Sequence, residues 1–207
     1  MGTWIDHLVL AAPSLEVGTA AVAALTGVTP EFGGVHTGAG THNALASLGA
    51  PSYLEVIAPD PRQPGVTSPL VPADLGDRPR LVAFAVGCDD LDAAVDALRH
   101  AGVADVADPF VMSRARPDGR VLTWRLAFVG SGVGGAHPFL ISWNGDDSPT
   151  HDSPPAGRLV ALQAGDPDPG PAAELLTHLG VPVDVDESPT RWLRATIETP
   201  HGGVELT

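Results

Sequence analysis

The sequence predicts an α+β fold in which βαβββ modules repeat and form curved mixed sheets around a central pocket. Short apolar runs of strand length recur along the 207-residue chain, at residues 7–12, 81–86 and 159–164. A helical pattern follows each run, and it begins at Ser14, at Asp89 or Asp90, and at Pro171. Each helical pattern ends at a glycine followed by valine, as expected for a left-handed residue after the last turn: Gly27, Gly102 and Gly180.

Three further strand-like stretches follow each predicted helix and complete the βαβββ order. They span residues 31–36, 41–48 and 53–58, then 110–116, 121–129 and 138–143, and finally 183–187, 192–199 and 203–206. The sequence therefore divides into modules at residues 1–61, 80–145 and 157–207, of which the third is the shortest. Proline-rich segments at 62–79 and 146–156 are interpreted as exposed connectors.

The composition excludes several classes of protein. With 43% hydrophobic residues the chain can bury a core, which excludes a disordered chain. Its 25 acidic and 11 basic residues give a net charge of −14, which would repel nucleic acid. The apolar runs are too short to span a membrane, and the first residues lack the basic start of a signal peptide. These features predict a cytoplasmic protein without nucleic-acid or membrane partners.

Two βαβββ modules side by side form a half-barrel or barrel whose interior is a natural ligand pocket. In this arrangement the chain resembles the vicinal oxygen chelate superfamily, the fold of glyoxalases, extradiol dioxygenases and bleomycin- and fosfomycin-resistance proteins. More narrowly, it is similar to the glyoxalase-like domain family. The resemblance lies in residues 5–10, 34–45 and 53–58 of the first module and 116–119, 122–126 and 138–143 of the second. It implies a small oxygenated ligand, but a shared fold does not fix the reaction.

The resemblance also implies a metal site. In metal-using members of the superfamily, a divalent ion lies between two modules and is held by the first and fourth strands of each. By position, His7 and Glu55 match two of these ligands. A neutral imidazole and a carboxylate suit Zn, Fe, Mn, Ni or Co. The alternative interpretation is that His7 is a partly buried histidine and that Glu55 is paired with an arginine or hydrogen-bonded to His7.

The other two modules do not repeat these ligands. The equivalent positions of the second module are Ala83 and approximately Leu140, which cannot bind a metal, and the third module offers only Glu205. A catalytic metal normally holds three protein ligands. The third ligand would therefore come from one of three histidines, among which spacing does not choose: His36, His42 or His137.

Glu55 is the candidate catalytic residue. Strand alternation places Tyr53, Glu55 and Ile57 on one face and Leu54 and Val56 on the other. Because a carboxylate is rarely left in a layer packed on a helix, the face with Glu55 is predicted to line the pocket. Burial there would raise the pKa of Glu55 unless a cation compensates, which suits a metal ligand or a base.

Four further residues are candidate ligand contacts in the pocket. His42 and Asn43 follow a glycine-rich turn and point to opposite sides of their strand, so at most one of them faces the pocket. The alternative is that the turn geometry alone requires the glycines. Trp124 and Trp143 lie on strands of the second module and are candidates for the pocket wall, although large aromatic residues in sheets are usually core.

A cluster of arginines supplies the candidate cations. Arg114, Arg116, Arg120 and Arg125 surround one hairpin of a chain with few basic residues. Arg114 and Arg116 share one side of their strand, and they are predicted to bind a carboxylate or phosphate of the ligand. The alternative is an exposed hairpin whose arginines pair with surface acids.

Three functions remain open from the sequence. The first is a metal-assisted lyase, isomerase or dioxygenase acting on a small oxygenated molecule. The second is a non-catalytic protein that sequesters an antibiotic or metabolite, which the apolar residues of the second module favour. The third is a scaffold, in which the uncovered third module forms a homodimer with its own copy.

Overall fold

The computed structural model describes residues 2–116, 118–130, 134–143 and 148–207. The first module contains β1 (Thr3–Ala11), α1 (Leu15–Thr26), β2 (Glu31–His36), β3 (Thr41–Ser47) and β4 (Tyr53–Pro59). The second contains β5 (Arg80–Cys88), α2 (Leu91–His100), β6 (Phe110–Ala115), β7 (Val121–Phe128) and β8 (Phe139–Ser142). The third contains β9 (Arg158–Asp166), α3 (Pro169–Leu179), β10 (Asp184–Glu187), β11 (Trp192–Thr199) and β12 (Gly202–Leu206).

The α+β class is confirmed, and local sequence signals explain where the helices begin and end. The Ser14 side chain accepts a hydrogen bond from the Val17 amide at the start of α1, and Asp90 does the same for α2. Gly27 and Gly180 adopt the left-handed conformation after α1 and α3. Within the described ranges, no helix is long and apolar enough to cross a membrane.

The first two modules close into one eight-stranded barrel with the order β1-β4-β3-β2-β6-β7-β8-β5. Each module contributes four adjacent strands, and the modules meet at two seams. At one seam β1 runs antiparallel to β5, with Leu8 opposite Phe84. At the other seam β2 meets β6 through the single pair Val35 and Ala115. The barrel interior is therefore shared equally by the two modules.

Strand alternation separates two apolar clusters. The inner cluster fills the barrel and includes Val9, Ile57 and Trp124. The outer cluster includes Leu8 and Leu54 and continues into the helices that cover the barrel. Because the side chains of a strand alternate between faces, each barrel strand contributes to both clusters.

The third module has the predicted order of elements but a different sheet. Its four strands are ordered β10-β9-β11-β12, whereas the first module is ordered β1-β4-β3-β2. In the third module the first strand, β9, pairs with β10 and β11. The fourth strand, β12, therefore lies at the edge of the sheet, whereas the fourth strand of the first module, β4, lies beside β1. One face of this sheet packs on the outer cluster through Leu162 and Leu193. The third module therefore lies outside the barrel and adds no wall to its interior.

The two proline-rich segments both contact the barrel, and most residues of the first segment are exposed. In the first segment, Leu70, Val71 and Leu75 pack against the inner cluster. In the second, the Ala156 amide donates to the carbonyl of Ser47 at the end of β3. Residues 144–147, where the second module was predicted to end, lie outside the described residues.

Candidate functional site

A cavity of about 80 Å³ lies inside the barrel and has a polar and an apolar side. The polar side is formed mainly by first-module residues: His7, His36, Asn43, Tyr53 and Glu55, joined by Arg114 from β6. The apolar side is formed mainly by the second module: Met112, Trp124, Leu126, Phe139, Ile141 and Trp143. Leu70 of the first proline-rich segment also lines the cavity. A ligand in this space would meet charged groups on one side and aromatic rings on the other.

Glu55 lies at the centre of the polar side and is 6% exposed. Its Oε1 atom accepts a hydrogen bond of 2.6 Å from the Asn43 side-chain amide. The Oδ1 atom of Asn43 in turn accepts a hydrogen bond of 2.7 Å from Nη1 of Arg114. Asn43 therefore connects the carboxylate to a buried guanidinium, and the second oxygen of Glu55 has no hydrogen bond to a described residue.

Two imidazoles face the carboxylate. Nε2 of His7 lies 3.7 Å from Oε2 of Glu55, and Nε2 of His36 lies 3.7 Å from Oε1. The other ring nitrogen of each histidine has a polar partner of its own. Nδ1 of His7 is 2.8 Å from Asp6, and Nδ1 of His36 is 2.9 Å from the Thr41 hydroxyl. Both rings thus direct Nε2 towards Glu55.

The surroundings hold Glu55 in its ionised form. Burial raises the pKa of Glu55, but the neighbouring His36 and His7, the Asn43 hydrogen bond and Arg114 outweigh it, so that the pKa lies below its usual value. The sequence predicted a raised pKa in the absence of a cation. The structure supplies that cation, Arg114, from the second module.

Burial shifts the pKa values of two groups near Glu55 in opposite directions. It lowers the pKa of His36, an effect that Glu55 opposes and Arg114 reinforces, so His36 is neutral near pH 7. Burial raises the pKa of Tyr53 well above its usual value, and the nearby Asp6 and Glu55 raise it further. The Tyr53 phenol therefore remains protonated at neutral pH.

The Tyr53 hydroxyl is a free donor in the cavity. Tyr53 is 3% exposed, and its hydroxyl makes no hydrogen bond to any residue of the described part of the chain. No fully inaccessible side-chain nitrogen or oxygen lacks a partner in those ranges. The hydroxyl must therefore touch the open space of the cavity, where it is available to a ligand oxygen.

Not all of the predicted ligand contacts reach this cavity. Asn43, Arg114, Trp124 and Trp143 line it, as do His7 and Glu55. His42 does not, because it lies on the other face of β3, where its ring is 6.4 Å from that of Phe32. Arg116 lines an outer cavity of about 170 Å³, and its Nη1 donates to Asp152. His42 and Arg116 therefore lie outside the barrel cavity, and ligand contact by either residue stays a prediction.

Three of the four arginines in the predicted cluster form ion pairs with acids and do not line the barrel cavity. Arg120 pairs with Asp118, and Arg125 pairs with Asp92 of α2 on the outside of the barrel. Of the four arginines, Arg114 alone lines the barrel cavity. The alternative interpretation of the cluster, in which arginines pair with surface acids, describes the other three.

The strand registers change which residue of the second module is equivalent to Glu55. Val9 lies opposite Glu55 in the first module, and its equivalent Ala85 lies opposite Phe139 in the second. Phe139, and not Leu140, therefore occupies the second-module position that matches Glu55. Leu140 belongs to the outer cluster. Since both Ala83 and Phe139 are apolar, the second module supplies wall where the first supplies polar groups.

These residues do not fit a formed metal site. Two imidazoles and a carboxylate have the right chemistry for a divalent ion. Within the described ranges, however, no group of three or more His, Cys, Asp or Glu side chains is arranged to hold one. The Asn43 amide occupies Oε1 of Glu55, and Arg114 places a positive charge next to the carboxylate. The cluster is instead hydrogen-bonded as a set of acids and bases.

Sequence reasoning missed two buried polar residues at this site, Asp6 and Thr41. Asp6 is fully buried beside His7, although it immediately precedes His7 on β1. Simple alternation puts neighbouring residues on opposite faces and so separates them. An acid in an otherwise apolar strand is the signal that could have identified Asp6, because a buried carboxylate needs a partner.

Comparisons with known proteins agree with this architecture. The model of the glyoxalase-like domain family matches residues 5–180. A crystal structure of a hypothetical protein from Staphylococcus aureus has a TM-score of 0.72 at 12% identity, over 100% of this chain and 99% of that chain. A Streptomyces coelicolor methylmalonyl-CoA epimerase has a TM-score of 0.48 at 23% identity, over 70% of this chain and 97% of that chain. The epimerase of Mycobacterium tuberculosis has a TM-score of 0.45 at 20% identity, over 67% and 86%.

At 12% identity the Staphylococcus aureus structure shows likeness of fold alone. No match was found among curated proteins. The family model covers most of the chain, including both modules that build the barrel and its cavity. The chain therefore belongs to the glyoxalase-like domain family, within the vicinal oxygen chelate superfamily.

Proposed function

We propose that the protein binds a small oxygenated molecule in the barrel cavity and that Glu55 acts as a general base on it, in an isomerase- or lyase-type proton transfer. The observation that carries this proposal is an ionised, buried carboxylate with one oxygen held by Asn43 and the other facing the cavity. A base must be unprotonated and within reach of the ligand, and the lowered pKa of Glu55 and its place in the cavity lining support both conditions.

The size and polarity of the cavity support a small ligand. An engineered cavity of about 150 Å³ in another protein holds benzene, so about 80 Å³ holds a smaller group. Glu55 would take a proton from carbon while the Tyr53 hydroxyl donates a hydrogen bond to an adjacent oxygen of the ligand. The aromatic wall would exclude water from the reacting atoms.

The second candidate function is non-catalytic binding of an antibiotic or metabolite. It is favoured by Ala83 and Phe139, which turn the second-module half of the site into an apolar wall. In that case the ionised cluster would serve only to select the ligand.

The two functions are separated by a binding and exchange experiment. Small hydroxy and oxo compounds with about three to five non-hydrogen atoms, fewer than benzene has, are screened by thermal shift, and those that bind are incubated with the protein in D₂O. For a general base, Glu55→Gln should retain binding but slow proton exchange by about 10²- to 10⁴-fold. Glu205→Gln is the matched control, because Glu205 is exposed on β12.

Each outcome decides between the candidates. Exchange that depends on Glu55 supports the base, and binding without exchange in the wild type supports the second function. The absence of any stabilising compound would contradict both. A stoichiometric Zn, Fe, Mn, Ni or Co ion in the purified protein, lost in His7→Ala, would contradict the metal-independent proposal and favour the metal-assisted reaction predicted from sequence.

The predicted homodimer and cytoplasmic location also remain predictions. The face of the third-module sheet that points away from the barrel carries exposed Arg194 and Glu205. Sedimentation at several concentrations tests the dimer, and a monomer at all of them would remove it.

A further inference from the structure

We propose that Asp6 is a positioning residue that holds His7 with its proton on Nδ1 and its Nε2 lone pair facing the cavity. His7 would then be a second acceptor beside Glu55, and the pair would select a ligand that carries a hydroxyl group. This inference rests on the proposed function, because it assigns a role to a second residue of the same site.

A β-bulge places Asp6 beside His7. The register between β1 and β5 shifts between Ile5, which lies opposite Val86, and His7, which lies opposite Ala85, so that Asp6 is the extra residue. A bulge changes the direction of the side chains around it and is common next to active sites. As a result the Oδ1 atom of Asp6 reaches to 2.8 Å from Nδ1 of His7.

Donors surround the Asp6 carboxylate. Its Oδ2 atom accepts hydrogen bonds from Nε1 of Trp4 at 3.3 Å and from Nε1 of Trp143 at 3.1 Å. An indole nitrogen can only donate, and an ionised carboxylate can only accept. Nδ1 of His7 is therefore the donor of its contact with Asp6. A neutral imidazole has a single N–H, so Nε2 carries the lone pair.

The ring is also fixed in orientation. Tyr53 stacks on His7 with ring centroids 4.7 Å apart and an angle of 21° between the planes. Phe139 contacts the same ring edge-on at 5.4 Å. Nε2 is thereby held 3.7 Å from Oε2 of Glu55, which is too long for a hydrogen bond.

Two acceptors side by side define what they can bind. Neither Nε2 of His7 nor the ionised Oε2 of Glu55 can donate, so a ligand hydroxyl suits the space between them because its one proton can be donated to either acceptor. A ligand that presents only acceptors to this pair would leave their lone pairs unsatisfied in a buried site.

The test reads the tautomer of His7 directly. Protein with ¹⁵N-labelled histidine is examined by NMR without ligand at pH 8, and the His7 signals are assigned by their loss in His7→Gln. The wild type should show protonated Nδ1 and unprotonated Nε2. In Asp6→Asn, which keeps the shape of the side chain but not its charge, the signals should shift towards the form protonated on Nε2.

Two controls and two contrary results complete the test. The His36 signals should stay unchanged in Asp6→Asn, and Asp89→Asn, at an exposed acid that accepts from the Gly2 amide, should leave His7 unchanged. Protonation of Nε2 in the wild type would overturn the assignment, as would an unchanged tautomer in Asp6→Asn. If Asp6→Asn does not fold, the wild-type spectrum alone decides. The tautomer is read without turnover, so this inference and the proposed base can fail independently.

Discussion

At the scale of single residues, the small size of Gly33 allows the contact between Arg114 and Asn43. A Cβ atom at this position would overlap Nη1 of Arg114 and come within 2.5 Å of Oδ1 of Asn43. We expect Gly33→Ala to push the guanidinium away from Asn43 and to lower the free energy of unfolding by about 1 to 2 kcal/mol. Urea denaturation measures this loss. Gly203→Ala is the control, because a Cβ there meets nothing within 4 Å, and equal losses in both variants would contradict the argument.

The buried His36 makes a second prediction, for the pH dependence of stability. Burial lowers its pKa below the usual 6.5, so between these two values the unfolded chain binds a proton that the folded chain does not. Stability should therefore fall as the pH decreases through this window, with a slope of up to about 1.4 kcal/mol per pH unit. His36→Gln should reduce the slope measured by denaturation between pH 7 and 5. The exposed His201→Gln should not, and an unchanged slope in His36→Gln would contradict the assignment.

At the scale of elements, residues 62–79 form a cover over the barrel. Leu70 and Leu75 of this segment pack against the inner cluster, and Leu70 also lines the cavity. We expect Leu70→Ala to cost about 1 to 2 kcal/mol, less than a fully buried leucine, and to increase the quenching of Trp124 and Trp143 by acrylamide. Val66→Ala, in the same segment but 42% exposed, should change neither. Unaltered quenching in Leu70→Ala would mean that the segment does not seal the cavity.

The same scale explains what could be predicted from the sequence. Capping residues and strand alternation act locally, so they predict the βαβββ order and the face of Glu55 correctly. The bulge at Asp6 is set by the pairing of β1 with β5 and has no local signal in the sequence. The approach of His36 to Glu55 depends on β3 lying between β2 and β4, and the loss of His42 from the site follows from the same register. Long-range pairing therefore decides which polar side chains meet.

For the whole molecule, the third module shows that a repeated order of helices and strands in the sequence does not predict how the strands pair. Its elements follow the same order, but the short β10 pairs in parallel with β9. The order of elements along the chain therefore does not specify the order of strands in the sheet. The module gains its burial against the outside of the barrel instead of enclosing a cavity.

This packing predicts that the barrel and the third module unfold together. Leu193 of β11 is 3% exposed and belongs to the same outer cluster as Leu8 and Phe84 of the barrel. Leu193→Ala should cost about 2 to 5 kcal/mol and should lower the protection of barrel strands and of β11 by the same amount in hydrogen exchange. Val160→Ala, 51% exposed on the same sheet, should change protection little. If Leu193→Ala weakened β11 while leaving β3 and β7 fully protected, the third module would be an independent folding unit.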